Sequence, residues 1–69
     1  MATTETRRFI RLPQVQALTS LSRSEIYRRI AAGTFPAQVK IGAAHAVWIE
    51  SEVAAWVDAR IAESRGEAA

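Results

Sequence analysis

Apolar residues change their spacing twice along this chain. Val15 and Leu18 lie three apart and Ile26 and Ile30 four apart, which is helical spacing. From Gln38 to Ile41 polar and apolar positions alternate, and His45-Ala-Val-Trp-Ile49 can return beside them as an antiparallel partner. Val53, Trp56, Val57 and Ile61 then restore a helical stripe, with Glu52, Asp58 and Glu63 off it.

Punctuation sharpens these segments. Phe9-Ile-Arg-Leu12 is an extended lead-in, with Leu12 held from helical angles by Pro13, which suits the first position of a short helix to about Thr19. Ser20-Leu21 makes a tight turn that returns Leu21 to the core. Ser22-Arg-Ser-Glu25 fits a capping box and opens a second helix of about residues 22–32. Gly33 stops that helix and Pro36 forbids its continuation. Gly42-Ala43-Ala44 turns the ribbon, and the last helix starts near Ser51. The predicted fold is mainly α with a small β-ribbon, a winged helix-turn-helix. Its domain covers residues 9–63, between flexible tails at 1–8 and 64–69.

Composition limits what so small a domain can do. Fourteen of its apolar residues are alanine, so few large side chains remain for a core, and a fold of 69 residues rarely nets more than about 3–5 kcal/mol. Cysteine is absent, histidine occurs once and no glycine-rich phosphate loop is present, so no catalytic, metal or cofactor site can be assembled. No secretory signal is apparent, and the longest near-apolar run, at 41–49, falls far short of the ~20 residues of a membrane span. A cytoplasmic protein without a small-molecule substrate is expected.

Charge adds the most. Residues 1–40 hold seven Lys/Arg against two acids, and residues 41–69 hold two against five. A basic end on a small domain points to an anionic partner on one face. With a step of about 100° per residue, Ile26 and Ile30 mark the inner side of the second helix. Ser24 and Arg28 form the outward pole, flanked by Tyr27 and the small Ala31 and Ala32, while Arg29 flanks the core side. A helix of this kind fits the major groove of double-stranded DNA. Arg28 can pair with guanine, and Arg23 in the first turn suits a phosphate. Lys40, alternating with Val39 and Ile41, is expected to point away from the core toward the DNA backbone, with His45 near the ribbon turn. The residues alone leave a second reading open, a solvated face on which Arg28 and Arg29 pair with Glu25 and Tyr27 only packs. Trp48 and Trp56 read as core.

The segments Arg11-Leu-Pro-Gln-Val-Gln-Ala-Leu-Thr-Ser-Leu-Ser-Arg-Ser-Glu-Ile-Tyr-Arg28, Phe35-Pro-Ala-Gln-Val-Lys-Ile-Gly42 and Trp48-Ile-Glu-Ser-Glu-Val-Ala-Ala-Trp56 resemble the AlpA family of small phage and prophage regulators. That family is similar to winged-helix excisionases and to the DNA-binding modules of MerR-type activators. The resemblance covers about residues 10–62. It implies a DNA-binding regulator of transcription or of excision, without cofactor, that self-associates or binds cooperatively on DNA. By the same resemblance Ser22–Arg28 begins the recognition helix and Lys40 leads into the wing. Two positions depart from the family. Ala43, Ala44 and His45 stand where arginine often follows the wing glycine, leaving the wing contact to Lys40 and His45. Arg29 replaces an apolar residue and is expected to add a phosphate contact from the helix flank, so that the expected DNA-binding residues are Arg23, Ser24, Tyr27, Arg28, Arg29, Lys40 and His45. A protein-interaction module that has lost DNA binding is the alternative of a different class.

Overall fold

The computed structural model describes residues 7–66. The elements run β1 (Phe9–Ile10), α1 (Leu12–Thr19), α2 (Arg23–Ala31), β2 (Val39–Gly42), β3 (His45–Ile49) and α3 (Glu50–Ser64). The three strands form one antiparallel sheet in the order β1-β3-β2. The expected two-stranded ribbon therefore has a third strand. The extended lead-in pairs Phe9 with Ile49 and Ile10 with Trp48. Nothing local announces that pairing, because the partners lie at opposite ends of the domain.

Helix ends follow from side chains near them. In α1 the N-cap is Arg11, so Leu12 is already helical and Pro13 stands one position later than expected. The Gln14 side chain accepts the Arg11 N–H (2.9 Å) and holds that first turn in place of a serine cap. At the other end the Thr19 hydroxyl donates to the Val15 carbonyl (2.8 Å) and accepts the Leu21 N–H (3.2 Å). That bridge closes the tight turn, in which Ser20 takes the left-handed φ of 62°. The capping box of α2 is present as expected: Ser22 Oγ accepts the Glu25 N–H, and Glu25 accepts the Ser22 N–H. Gly33, at φ 79°, ends α2 with Gly33 N–H donating to Ile30 and Thr34 N–H to Arg29, the paired closure of a Schellman motif. Helix α3 runs straight on from β3, and its Glu50 N–H donates to the Arg8 carbonyl (2.8 Å). Most of the expected tails, 1–6 and 67–69, falls outside the described residues. Arg8 also pairs its guanidinium with Glu50 (3.3 Å), and Ser64 closes α3.

The core gathers Ile10, Val15, Ile26, Phe35, Trp48 and Val53, with Leu12, Leu21, Tyr27, Ile30 and Trp56 at its margin. α1 packs on α3 and β3, and α2 joins them through Ile26, Tyr27 and Ile30. Two residues assigned to inner stripes lie open instead: Leu18 is 45% exposed and Ile61 42%. Both line a groove between α1 and the second half of α3, with Trp56, Val57, Arg60 and Arg65, which no further element of the described residues covers.

Candidate nucleic-acid interface

Helix α2 carries the basic residues on a well-determined frame. Its inner side is fixed by Ile26, fully buried, and by the half-buried Ile30. Ser24 and Arg28 are exposed on the opposite side, as the spacing predicts, and Ala31 and Ala32 beside them are also exposed. Arg23 is exposed at the first turn. The pairing of Arg28 and Arg29 with Glu25, which belongs to the alternative solvated-face reading, is absent. The Glu25 carboxylate turns back to the Ser22 N–H instead, because a free N–H at a helix start is a close and favourable partner for it. Among the described residues the ion pairs are Arg8–Glu50 and Arg60–Glu63, so Arg23, Arg28, Arg29 and Lys40 face no carboxylate at salt-bridge distance.

Two of the expected site residues are engaged inward. The Tyr27 ring meets Trp48 edge-on, with centroids 6.1 Å apart, and the Arg23 guanidinium stands over the same ring at 5.5 Å. Arg29 is half-buried over the Trp56 ring at 5.9 Å, and Arg60 lies against that ring at 5.0 Å. Arg29 thus packs on α3 rather than joining the outward pole with Arg28. Trp56 itself donates from Nε1 to the Thr34 carbonyl (2.8 Å) and meets Phe35 at 4.9 Å, which ties α3 to the segment after α2. Sequence reasoning did not single out Arg60, since its part depends on the approach of α2 to α3.

The hairpin corrects the expected orientation of Lys40. The register pairs Val39 with Val47 and Lys40 with Ala46, and residues opposite each other share a face. Lys40, Ala46, Trp48 and Ile10 therefore lie on the side of the sheet that receives the helices, and Val39, Val47, Ile49 and Phe9 on the reverse. Both faces carry apolar residues, so alternation alone did not identify the inner one. Lys40 remains exposed because the hairpin runs past the helices at this point. Beyond it Gly42 pairs with His45, a shift of one residue that makes Ile41 a bulge and leaves it 51% exposed instead of inward. His45 is exposed at the base of the Ala43-Ala44 turn, its Nδ1 within 3.7 Å of where a Cβ on Gly42 would stand. Among the described residues no group of three or more His, Asp or Glu side chains converges as a metal site, and no helix is long and apolar enough to cross a membrane.

The fold is a two-helix unit with a tight turn, followed by a hairpin and a packing helix. The chain belongs to the AlpA family, described as "Prophage CP4-57 regulatory protein (AlpA)", which matches residues 8–61. It is 51% identical over 55 residues to an uncharacterized protein, ORF88, of Enterobacteria phage P4. That match covers 80% of this chain and 62% of the relative, so the chain spans about three fifths of the relative's length. No solved structure matches the chain.

Proposed function

We propose that this chain is a non-catalytic, sequence-specific DNA-binding regulator of a phage or integrated element, working as a winged helix-turn-helix. Helix α2 enters the major groove of double-stranded DNA, with Arg28 on a base edge and Ser24 beside it. Arg23 holds a phosphate, and Lys40 and His45 follow the backbone from the hairpin. The observation that carries this reading is the outer side of α2, where Arg23 and Arg28 stand exposed with no carboxylate partner among the described residues, on a helix capped at both ends. An unpaired fork of guanidinium N–H groups matches guanine or phosphate in a way a lysine does not. Regulation of transcription and direction of excision both use this contact.

A single module of this size buries only about 600–1,000 Å² on DNA, so useful occupancy calls for several copies on neighbouring sites. The test is a mobility shift on a pool of upstream and random duplexes at about 50 and about 200 mM salt. A selected sequence should emerge, with stepwise complexes. Arg28→Ala should lower discrimination at one base position by about 1–3 kcal/mol, and Arg23→Ala should weaken all sequences alike and reduce the salt slope by about one. Equal, salt-independent behaviour of parent and variants on every duplex would overturn the reading. The exposed Leu18–Ile61 groove favours a second reading, in which the domain binds protein instead; a parent chain that shifts no duplex at either salt would select it.

A further inference from the structure

We infer that Tyr27 is a positioning residue, which holds the Arg23 guanidinium ready for a DNA backbone phosphate and does so without touching DNA itself. The inference rests on the DNA-binding reading above and assigns a separate role within it.

Arg23 is the first residue of α2, where the helix dipole already presents positive charge. A cation there is unfavourable to the free helix. Neither packing nor an ion pair accounts for it: Arg23 is exposed, and the acids of the described residues lie elsewhere or are occupied. Glu25, two positions on, is the nearest carboxylate along the chain, and the capping box draws it back to Ser22. What Arg23 does meet is the Tyr27 ring, four residues later on the same side of the helix, at 5.5 Å from its centroid.

That ring is itself held. Tyr27 is half-buried and meets Trp48 at an interplanar angle of 65°, and Trp48 is fully buried in the core. A chain of contacts thus runs from the packed interior through an aromatic edge to a surface cation. Its effect is to restrict a long, flexible side chain before any ligand arrives, with the N–H fork left free. Restriction in advance lowers the ordering cost that binding would otherwise impose, and it matters most for side chains with many rotamers. The planar fork then suits two phosphate oxygens at once. Lys40, on the helix-side face of the hairpin, adds a second exposed cation on the side of the sheet that receives α2.

The experiment uses the full chain and a labelled mixed-sequence duplex of about two helical turns, so no operator need be known. Anisotropy titrations compare the parent with Arg23→Ala, Tyr27→Phe, Tyr27→Met and the Arg23→Ala/Tyr27→Met double variant. Proton NMR of the free proteins follows the Arg23 side-chain methylene next to the guanidinium, which the ring current moves upfield. Tyr27→Phe keeps the ring and should bind like the parent with the upfield shift retained. Tyr27→Met fills similar space without a ring. It should lose the shift and about two- to tenfold in affinity, the size of ordering one long side chain. In the Arg23→Ala background Tyr27→Met should change affinity no further. A Tyr27→Met protein that binds like the parent while Arg23→Ala binds weakly would overturn the positioning role and leave the DNA reading intact. An equal loss in the Arg23→Ala background would also overturn it, since the effect would not pass through Arg23. A parent that binds no duplex would overturn the DNA reading, and this inference with it. An Arg23 resonance without the upfield shift in the free parent would overturn the inference whatever the titrations gave.

Discussion

Replacing Trp56 by alanine tests the fold where two elements depend on one side chain. Removing a fully buried tryptophan costs about 3–5 kcal/mol. Trp56 is half-buried, which brings the packing loss to about 2 kcal/mol by that scale. Its hydrogen bond to the Thr34 carbonyl is exposed, so water replaces it and the net loss is about 0.5 kcal/mol. The edge contact with Phe35 and the two guanidiniums on the ring add about another 0.5–1 kcal/mol. The total, roughly 3 kcal/mol, rivals the ~3–5 kcal/mol expected of so small a core. For a domain of this length each kcal/mol moves Tm by about 4–8 °C, so Trp56→Ala should lower Tm by about 12–24 °C or unfold the protein at room temperature. Trp56→Phe, which loses chiefly the hydrogen bond and some area, should lower it by about 4–8 °C. Thermal unfolding followed by far-ultraviolet circular dichroism reads both. A Trp56→Ala protein melting within about 4 °C of the parent would refute the claim that this ring couples α3 to the segment after α2.

Two further outcomes concern the ends of α2. Ser22→Ala removes the acceptor for the Glu25 N–H and should cost about 0.5–2 kcal/mol in chemical denaturation, whereas Ser22→Asp should keep most of the stability. Gly33→Ala meets no atom within 4 Å, so its expected cost of about 1–2 kcal/mol comes from the left-handed backbone alone; a neutral result would show that the turn relaxes freely.

The parts of this fold that were legible in its sequence are those decided within one turn of chain. The Ser22–Glu25 box, the Gly33 stop and the hairpin turn each depend on neighbours a few residues apart, and each stands where it is expected. Ser24 and Arg28 face outward because Ile26 fixes the helix rotation. The misplacements have a different origin. Leu18 and Ile61 have the right period for burial, yet period says nothing about whether another element exists to cover them. Ile41 follows the alternation until one bulge moves it, and Lys40 changes face because both sides of the sheet are apolar. Arg29 belongs to the helix by sequence and to Trp56 by tertiary contact. In the proposed interface, sequence reasoning located the cations and missed which of them the aromatic rings restrain.

The pairing of β1 with β3 bears on how the protein is made. Phe9 and Ile10 leave the ribosome early, and Trp48 and Ile49, their partners, emerge only when most of the domain is outside. The sheet cannot be completed in stages, and the first N–H of α3, at Glu50, cannot donate to the Arg8 carbonyl until that same moment. Contacts between distant parts of a chain slow folding, so this small protein should finish folding late and in one step despite its helices. Shortening the chain past Arg8 would therefore remove the closing strand of the molecule and the acceptor for the start of its last helix.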